Sequence, residues 1–129
     1  MNAALEFHDS EVSMVQGTDG TLRLLFSAAY IHRSEGRPGR DPGAGYMQSA
    51  ELIFSGATWQ GLSTECSGYL YDGSVTVDGE SLSLIPIPLT ASGKITAEFS
   101  FQSAVLSVSA TSAVCSISGE PRFIENYVG

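Results

Sequence analysis

The sequence TLRLLFSAAYI, residues 21–31, alternates apolar and polar side chains with a period of two. This is the period of an extended strand, in which successive side chains point to opposite faces of a sheet. One face carries the even-numbered residues from Leu22 to Tyr30. The other face carries Arg23, but also apolar Leu25 and Ile31. These two residues predict a central strand covered on both sides, or a subunit interface.

The same alternation recurs along most of the chain outside this segment. It predicts strands near residues 46–55, 69–77, 80–85, 95–101 and 106–117, with a phase break at Thr111-Ser112 that requires a bulge. No segment of a dozen residues has apolar side chains at the 3.6-residue period of an α-helix. We therefore predict one all-β domain over residues 1–129, built as an antiparallel β-sandwich or small barrel of about eight strands.

Turn-forming residues separate the predicted strands. Four short segments rich in glycine or polar residues predict turns: Gly17–Gly20, Asp78-Gly79, Ala91–Gly93 and Gln102-Ser103. Two prolines without amide donors place Pro86–Leu89 at a sheet edge or at an exit from the sheet. The one long irregular segment is Ser34–Gly45, and long loops of compact domains tend to be functional or mobile.

The charge balance narrows the classes of partner. Six Lys and Arg stand against 14 Asp and Glu, a formal net charge of −8. Such a surface repels phosphate backbones and anionic bilayers, so we expect no binding to nucleic acid or membranes. The N-terminal residues lack the basic and apolar regions of a signal peptide. Without an export signal, we expect Cys66 and Cys115 to be reduced thiols in the cytoplasm. They form no CxxC motif, which argues against a zinc or redox site, and we expect no cofactor.

The tetrad Phe7-His8-Asp9-Ser10 contains the residue types of a hydrolase triad. Neighbours on a strand point to opposite faces, so we interpret His8 or Asp9 as an anchor of the first strand. The two histidines, His8 and His32, could form a metal site with Asp9 or Asp41 if the fold brings them together. That arrangement would favour a metal-assisted hydrolase or isomerase.

A local positive patch follows the second histidine. Arg33, Arg37 and Arg40 are three of the six cations and lie within eight residues after His32. Guanidinium groups bind carboxylates and phosphates, so the patch is the best pointer to a site, one for a small anion. The favoured interpretation is a solvated loop whose arginines pair with Glu35, Asp41 or other nearby acids. Trp59 lies between glycines and could stack on a ligand. We interpret it instead as a side chain that closes one end of the core.

Both ends of the chain contain short motifs. Leu5–Val12 includes the Phe-His-Asp-Ser tetrad, and Ile117–Glu125 ends a strand in glycine and continues with an aromatic-Ile-Glu run. In these motifs the chain resembles a group of small bacterial all-β proteins with no assigned activity. The resemblance implies a bacterial cytosolic protein, and it implies no reaction, cofactor or catalytic residue.

Three functional hypotheses follow, and the first is favoured. It is a non-catalytic binding or interaction protein, an accessory or immunity-like partner of another protein, because the chain is small and acidic and has no assembled catalytic motif. Self-association is compatible with it. The second is a small β-barrel that binds an anionic ligand, and the third is the metal-assisted enzyme. The candidate ligand-binding residues are His8, Asp9, His32, Arg33, Arg37, Arg40 and Trp59.

Overall fold

The computed structural model describes residues 1–128, so Gly129, the last residue of the predicted domain, lies outside the described residues. Ten β-strands and no helix occur in this part of the chain. The strands are β1 (Asn2–Thr18), β2 (Thr21–Ser34), β3 (Gly43–Ser55), β4 (Thr58–Gln60), β5 (Gly68–Tyr69), β6 (Asp72–Val77), β7 (Glu80–Leu82), β8 (Ile85–Ile87), β9 (Leu89–Ser100) and β10 (Val105–Tyr127).

All ten strands belong to one antiparallel sheet whose hydrogen-bond ladder is not closed. The order is β5-β1-β2-β3-β10-β9-β6-β7, while β4 pairs with β10 and β8 pairs with the edge of β1. The all-β antiparallel prediction is confirmed, and so is the edge position expected for Pro86. The strand count exceeds eight because β4, β5, β7 and β8 are pieces of two or three residues.

The sheet curls around a core of large apolar side chains. Phe99 lies at its centre: its ring meets Phe7 edge to face at 5.2 Å and lies 6.2 Å from the ring of Phe54. All three rings are buried. Because the inward positions alternate between the irregularities of the long strands, the period-two pattern of the sequence describes the core side of the sheet.

Two hairpins confirm the predicted turn chemistry. Asp78 and Gly79 have φ of 49° and 83°, and Asp19 and Gly20 have φ of 48° and 76°. Positive φ at both central residues is the conformation of the two-residue turns whose twist matches that of the flanking strands. Gln102-Ser103 also forms the predicted connection, between β9 and β10.

The turn predicted at Ala91–Gly93 is wrong, because these residues lie inside β9. Gly93 has φ of 132°, and the pairing of β9 with β10 shifts register between Ala110 and Ser112. The glycine therefore lets the strand bend at a bulge without ending it. The same register shift confirms the phase break predicted at Thr111-Ser112.

A second bulge explains the mixed face of β2. Its pairing with β3 shifts register between Phe26 and Ala29, so the face that points inward changes along the strand. After the bulge Ala29 and Ile31 lie fully in the core, while Leu25, before it, is only half-buried. The register shift thus accounts for the position of Ile31 in the core.

Candidate functional site

Near the end of β2, the outer face of the strand is buried. In a sheet with one face in solvent, this outer face would be exposed. Tyr30, His32 and Ser34 alternate with the inward-facing residues, and yet they are only 6%, 7% and 2% exposed. The β2–β3 loop (residues 35–42) contacts Ser34, and the last residues of β10 contact Tyr30 and His32. This covered outer face is the candidate site.

Hydrogen bonds fix the shape of the β2–β3 loop. The Ser34 hydroxyl donates to the Pro42 carbonyl at 2.7 Å and accepts the Gly36 amide at 3.0 Å. The Asp41 carboxylate accepts the Arg37 amide at 2.6 Å, and the Asp41 amide donates to the Arg37 carbonyl at 2.9 Å. Side-chain caps of this kind replace the sheet ladder within a loop, so the loop holds a defined turn.

The loop also contacts the connection between β7 and β8. A Cβ added to Gly39 would lie 2.6 Å from Leu84 Cδ1, which means that the loop backbone approaches this side chain closely. Between the two segments lies a cleft of about 590 Å³ with Glu6 and His32 among its lining residues. The remaining lining residues are Arg37, Pro38, Gly39, Arg40, Ser81, Leu82, Ser83 and Leu84.

His32 is held between a carboxylate and an aromatic ring. Its Nε2 lies 3.3 Å from Glu6 Oε1, and its ring stacks on Tyr127 at 5.2 Å with an interplanar angle of 25°. Its Nδ1 is buried and has no hydrogen-bond partner among the described residues. A buried polar atom without a partner is rare in proteins and costs stability.

A hydroxyl–carboxylate cluster supports Tyr127 from the other side. Tyr30 Oη donates to Glu125 Oε1 at 2.5 Å and also contacts the Tyr127 hydroxyl, which lies 3.2 Å from the same carboxylate oxygen. Burial, together with the negative charge of Glu6, raises the pKa of Tyr127, so its hydroxyl stays protonated near neutral pH.

Gly45 provides the space for this cluster. It lies in β3 opposite His32 and Glu125 in the sheet register. A Cβ at this position would lie 2.8 Å from Tyr30 Cζ and 3.1 Å from Tyr127 Oη. Glycine lacks that atom, so both tyrosine hydroxyls can lie over the strand.

The charge of the cleft is opposite in sign to that of the whole molecule. Its lining has two guanidinium groups and one carboxylate, 2 − 1 = +1 with His32 neutral, against −8 for the chain. Arg37 Nε lies 3.9 Å from Asp41 Oδ2, whereas Arg40 forms no ion pair with any residue from 1 to 128. Arg40 is exposed, so its guanidinium is available to an anion.

A second cavity adjoins the cleft. It has a volume of about 340 Å³ and shares His32, Gly39 and Arg40 with the first. Its other lining residues are Asp41, Asn126, Tyr127 and Val128. The two cavities therefore meet at the imidazole and at the tip of the β2–β3 loop.

The structure separates the arginines that follow His32 in sequence. Arg37 and Arg40 lie at the cleft with His32, but Arg33 points to the opposite face of β2. There its guanidinium donates to Gln48 Oε1 at 2.8 Å and lies 5.5 Å from the centre of the Tyr46 ring.

The tetrad residues His8 and Asp9 lie in a wide bulge of β1, between the pairs Glu6–Tyr30 and Glu11–Ala28. His8 Nδ1 lies 3.0 Å from the Tyr71 carbonyl oxygen and Nε2 lies 3.5 Å from Asp9 Oδ1, while His32 bonds Glu6. Among residues 1–128 no three His, Cys, Asp or Glu side chains lie close enough to hold a metal ion.

Trp59 is in β4, where it pairs with Val108 of β10 and packs against the edge of the core. A Cβ added to Gly17 would lie 2.8 Å from its Cε2 atom, so the indole covers the end of the first hairpin. It does not line the cleft. This position agrees with an indole that closes one end of the core.

Sequence reasoning missed the residues that join His32 from distant strands. Glu6 is 26 positions from His32, and Glu125 is 95 positions from Tyr30. Tyr127 also comes from the far end of the chain. No local motif connects these positions; the only signal was the glycine content of the predicted loop, which includes Gly39 and Gly45.

The chain matches no protein-family model, no curated protein and no solved structure. The resemblance of its two ends to small bacterial proteins therefore stays a prediction. Within residues 1–128 there is no helix of the length and apolar character needed to cross a bilayer.

Proposed function

We propose that this protein is a non-catalytic binding protein whose cleft takes a small anionic ligand. The observation that carries the proposal is Arg40, an exposed guanidinium without an ion pair within residues 1–128, which lines both cavities beside His32. Among the described residues that line the cleft, the one carboxylate is that of Glu6, and it already faces the imidazole. An anion at Arg40 would therefore gain a planar donor that forms no ion pair with any residue from 1 to 128.

The β2–β3 loop beside the cleft is already ordered before a ligand binds. The β2–β3 loop is held by its own hydrogen bonds, so little ordering is needed when a ligand enters. A positive cleft on a negative molecule also favours small anions over polyanions, because the surrounding acids repel an extended chain of phosphates.

Thermal unfolding with inorganic phosphate and with acetate tests this proposal. A ligand present at ten times its dissociation constant stabilises the fold by about 1.4 kcal/mol, roughly 5 °C for a domain of this size. Arg40→Gln should remove the increase. Arg122→Gln is the matched control, since Arg122 also lacks an ion pair within residues 1–128 and lines a different depression. Sodium chloride at equal ionic strength corrects for screening.

The proposal fails if neither anion raises the melting temperature by more than about 1 °C at millimolar concentration. It also fails if the Arg40 variant and the wild type respond alike. A response lost in both arginine variants would show a general charge effect and would contradict a site at the cleft.

A second candidate function is self-association, and one observation favours it. Beyond Cys115, β10 pairs only with β3, so its other edge is free up to Tyr127. Phe123 and Ile124 on this stretch are 54% and 42% exposed. Free edges accept another strand, and an antiparallel edge is complementary to itself about a two-fold axis.

Light scattering over a range of concentrations distinguishes this candidate. Self-association predicts a mass near twice 13.6 kDa at high concentration and a monomer for Phe123→Lys, because a charge on an edge strand opposes pairing. A monomer at every concentration contradicts it.

The proposal includes a bacterial cytoplasmic location. Its support is that both cysteines are free and buried, as expected in a reducing compartment.

A further inference from the structure

We infer that the anion taken by the cleft is an organic one, with a flat aromatic ring attached to its carboxylate or phosphate. The inference rests on the proposed function and adds the chemical class of the ligand. Its basis is the second cavity, which continues from Arg40 to the ring of Tyr127.

The second cavity is the more apolar of the two, although the Asp41 carboxylate lines it together with Arg40. Arg37 lines only the first, Tyr127 and Val128 line only the second, and Arg40 lies between them. A ligand with its anionic group at Arg40 would therefore place its remaining atoms against Tyr127. Inorganic phosphate or acetate would leave that part of the site unused.

The ring of Tyr127 is held in one position, so it is better suited to stack on a ligand's ring than to contact a flexible chain. One face of its ring stacks on His32, and its hydroxyl is held by Glu125 and Tyr30. A half-buried ring fixed in this way offers its remaining surface to another ring at little entropic cost. Gly39 lines both cavities, and the side chain of Leu84 lies close against its backbone.

Isothermal titration with two ligand pairs tests the inference: phenyl phosphate against inorganic phosphate, and benzoate against acetate. Aromatic contacts of this kind contribute about three- to tenfold in affinity, so each aromatic member should bind at least about threefold more tightly than its partner. The pair with the tighter binding shows whether the head group is a phosphate or a carboxylate.

Two variants locate the effect. Tyr127→Leu should bring the aromatic and the simple anions to equal affinity, whereas Tyr127→Phe, which keeps the ring, should still bind the aromatic anions more tightly. Equal binding of aromatic and simple anions by the wild-type protein overturns the inference and leaves the proposed function standing. No binding of any of the four ligands overturns the proposed function itself. Because the ligand pairs are compared on wild-type protein, an unstable Tyr127 variant would not prevent the test.

Discussion

Replacing Gly45 by alanine would place a methyl group against the hydroxyl of Tyr30. The new Cβ would also lie 2.8 Å from Tyr30 Cζ, so the tyrosine must move. Overfilling a packed site costs about 1–3 kcal/mol. Displacing the hydroxyl from Glu125 loses a hydrogen bond to a charged group, worth about 1.5–3 kcal/mol.

We expect a net loss of about 2–4 kcal/mol for Gly45→Ala, roughly 8–16 °C in melting temperature. The sign is the informative part, because alanine in place of glycine in an unobstructed strand stabilises by about 0.5–1 kcal/mol. Urea unfolding monitored by fluorescence or circular dichroism gives the free energy of unfolding directly.

A double-mutant cycle assigns the cost to Tyr30. Tyr30→Phe removes the obstructing hydroxyl, so Gly45→Ala should cost at least about 1 kcal/mol less in that background than in the wild type. Gly17→Ala serves as the control, because its Cβ meets Trp59 and Tyr30→Phe should not relieve it. A coupling energy below about 0.5 kcal/mol, the usual scatter of additivity, would refute the reasoning.

Three further predictions concern the rest of the molecule. The hydrogen bond to the Tyr71 carbonyl and the charge of Asp9 raise the pKa of His8. Protonated His8 therefore stabilises the fold below about pH 6.5, and this stabilisation is lost as the pH rises through the raised pKa. The variant His8→Gln should flatten this pH dependence of the free energy of unfolding in urea. Phe99→Ala should cost about 3–5 kcal/mol in the same assay, because the ring is fully buried between two others. Burial raises the pKa of Cys115 to about 12, so its thiol should resist iodoacetamide in the native protein at pH 8 and react in urea.

Each of these three predictions has an outcome that would contradict it. An unchanged pH profile in the His8 variant would mean that the Tyr71 contact contributes nothing. A cost below about 1 kcal/mol for the Phe99 variant would place that ring outside the core. Rapid alkylation of native Cys115 would show that β10 opens readily.

The strands were predictable from sequence because their signals are local. The alternation of apolar and polar residues and the dipeptide Asp78-Gly79 each span only a few residues, and each reflects the backbone conformation at its own position. The failure at Ala91–Gly93 has the same origin: a glycine that permits a positive φ fits a turn and a bulge equally well. The register of the neighbouring strand, which sequence does not show, decides between them.

The candidate site was only partly predictable, for a different reason. His32, Arg37 and Arg40 are close in sequence, so composition alone pointed to them as a positive group. Alternation separates Arg33 from that group, because neighbours on a strand point to opposite faces and the bulge of β2, between Phe26 and Ala29, precedes both His32 and Arg33. Tyr127 reaches the site only through the long pairing of β10 with β3, a contact that no local pattern specifies.

The most direct test of the anion site uses the fact that the chain has two histidines. Imidazole nitrogen–proton correlation spectra of wild-type protein are recorded at constant pH during titration with phenyl phosphate. The account predicts that the His32 resonances shift in a saturable way while those of His8, bound to Tyr71 in the bulge of β1, do not. Equal shifts of both histidines, or no shift of His32 at millimolar ligand, would contradict it.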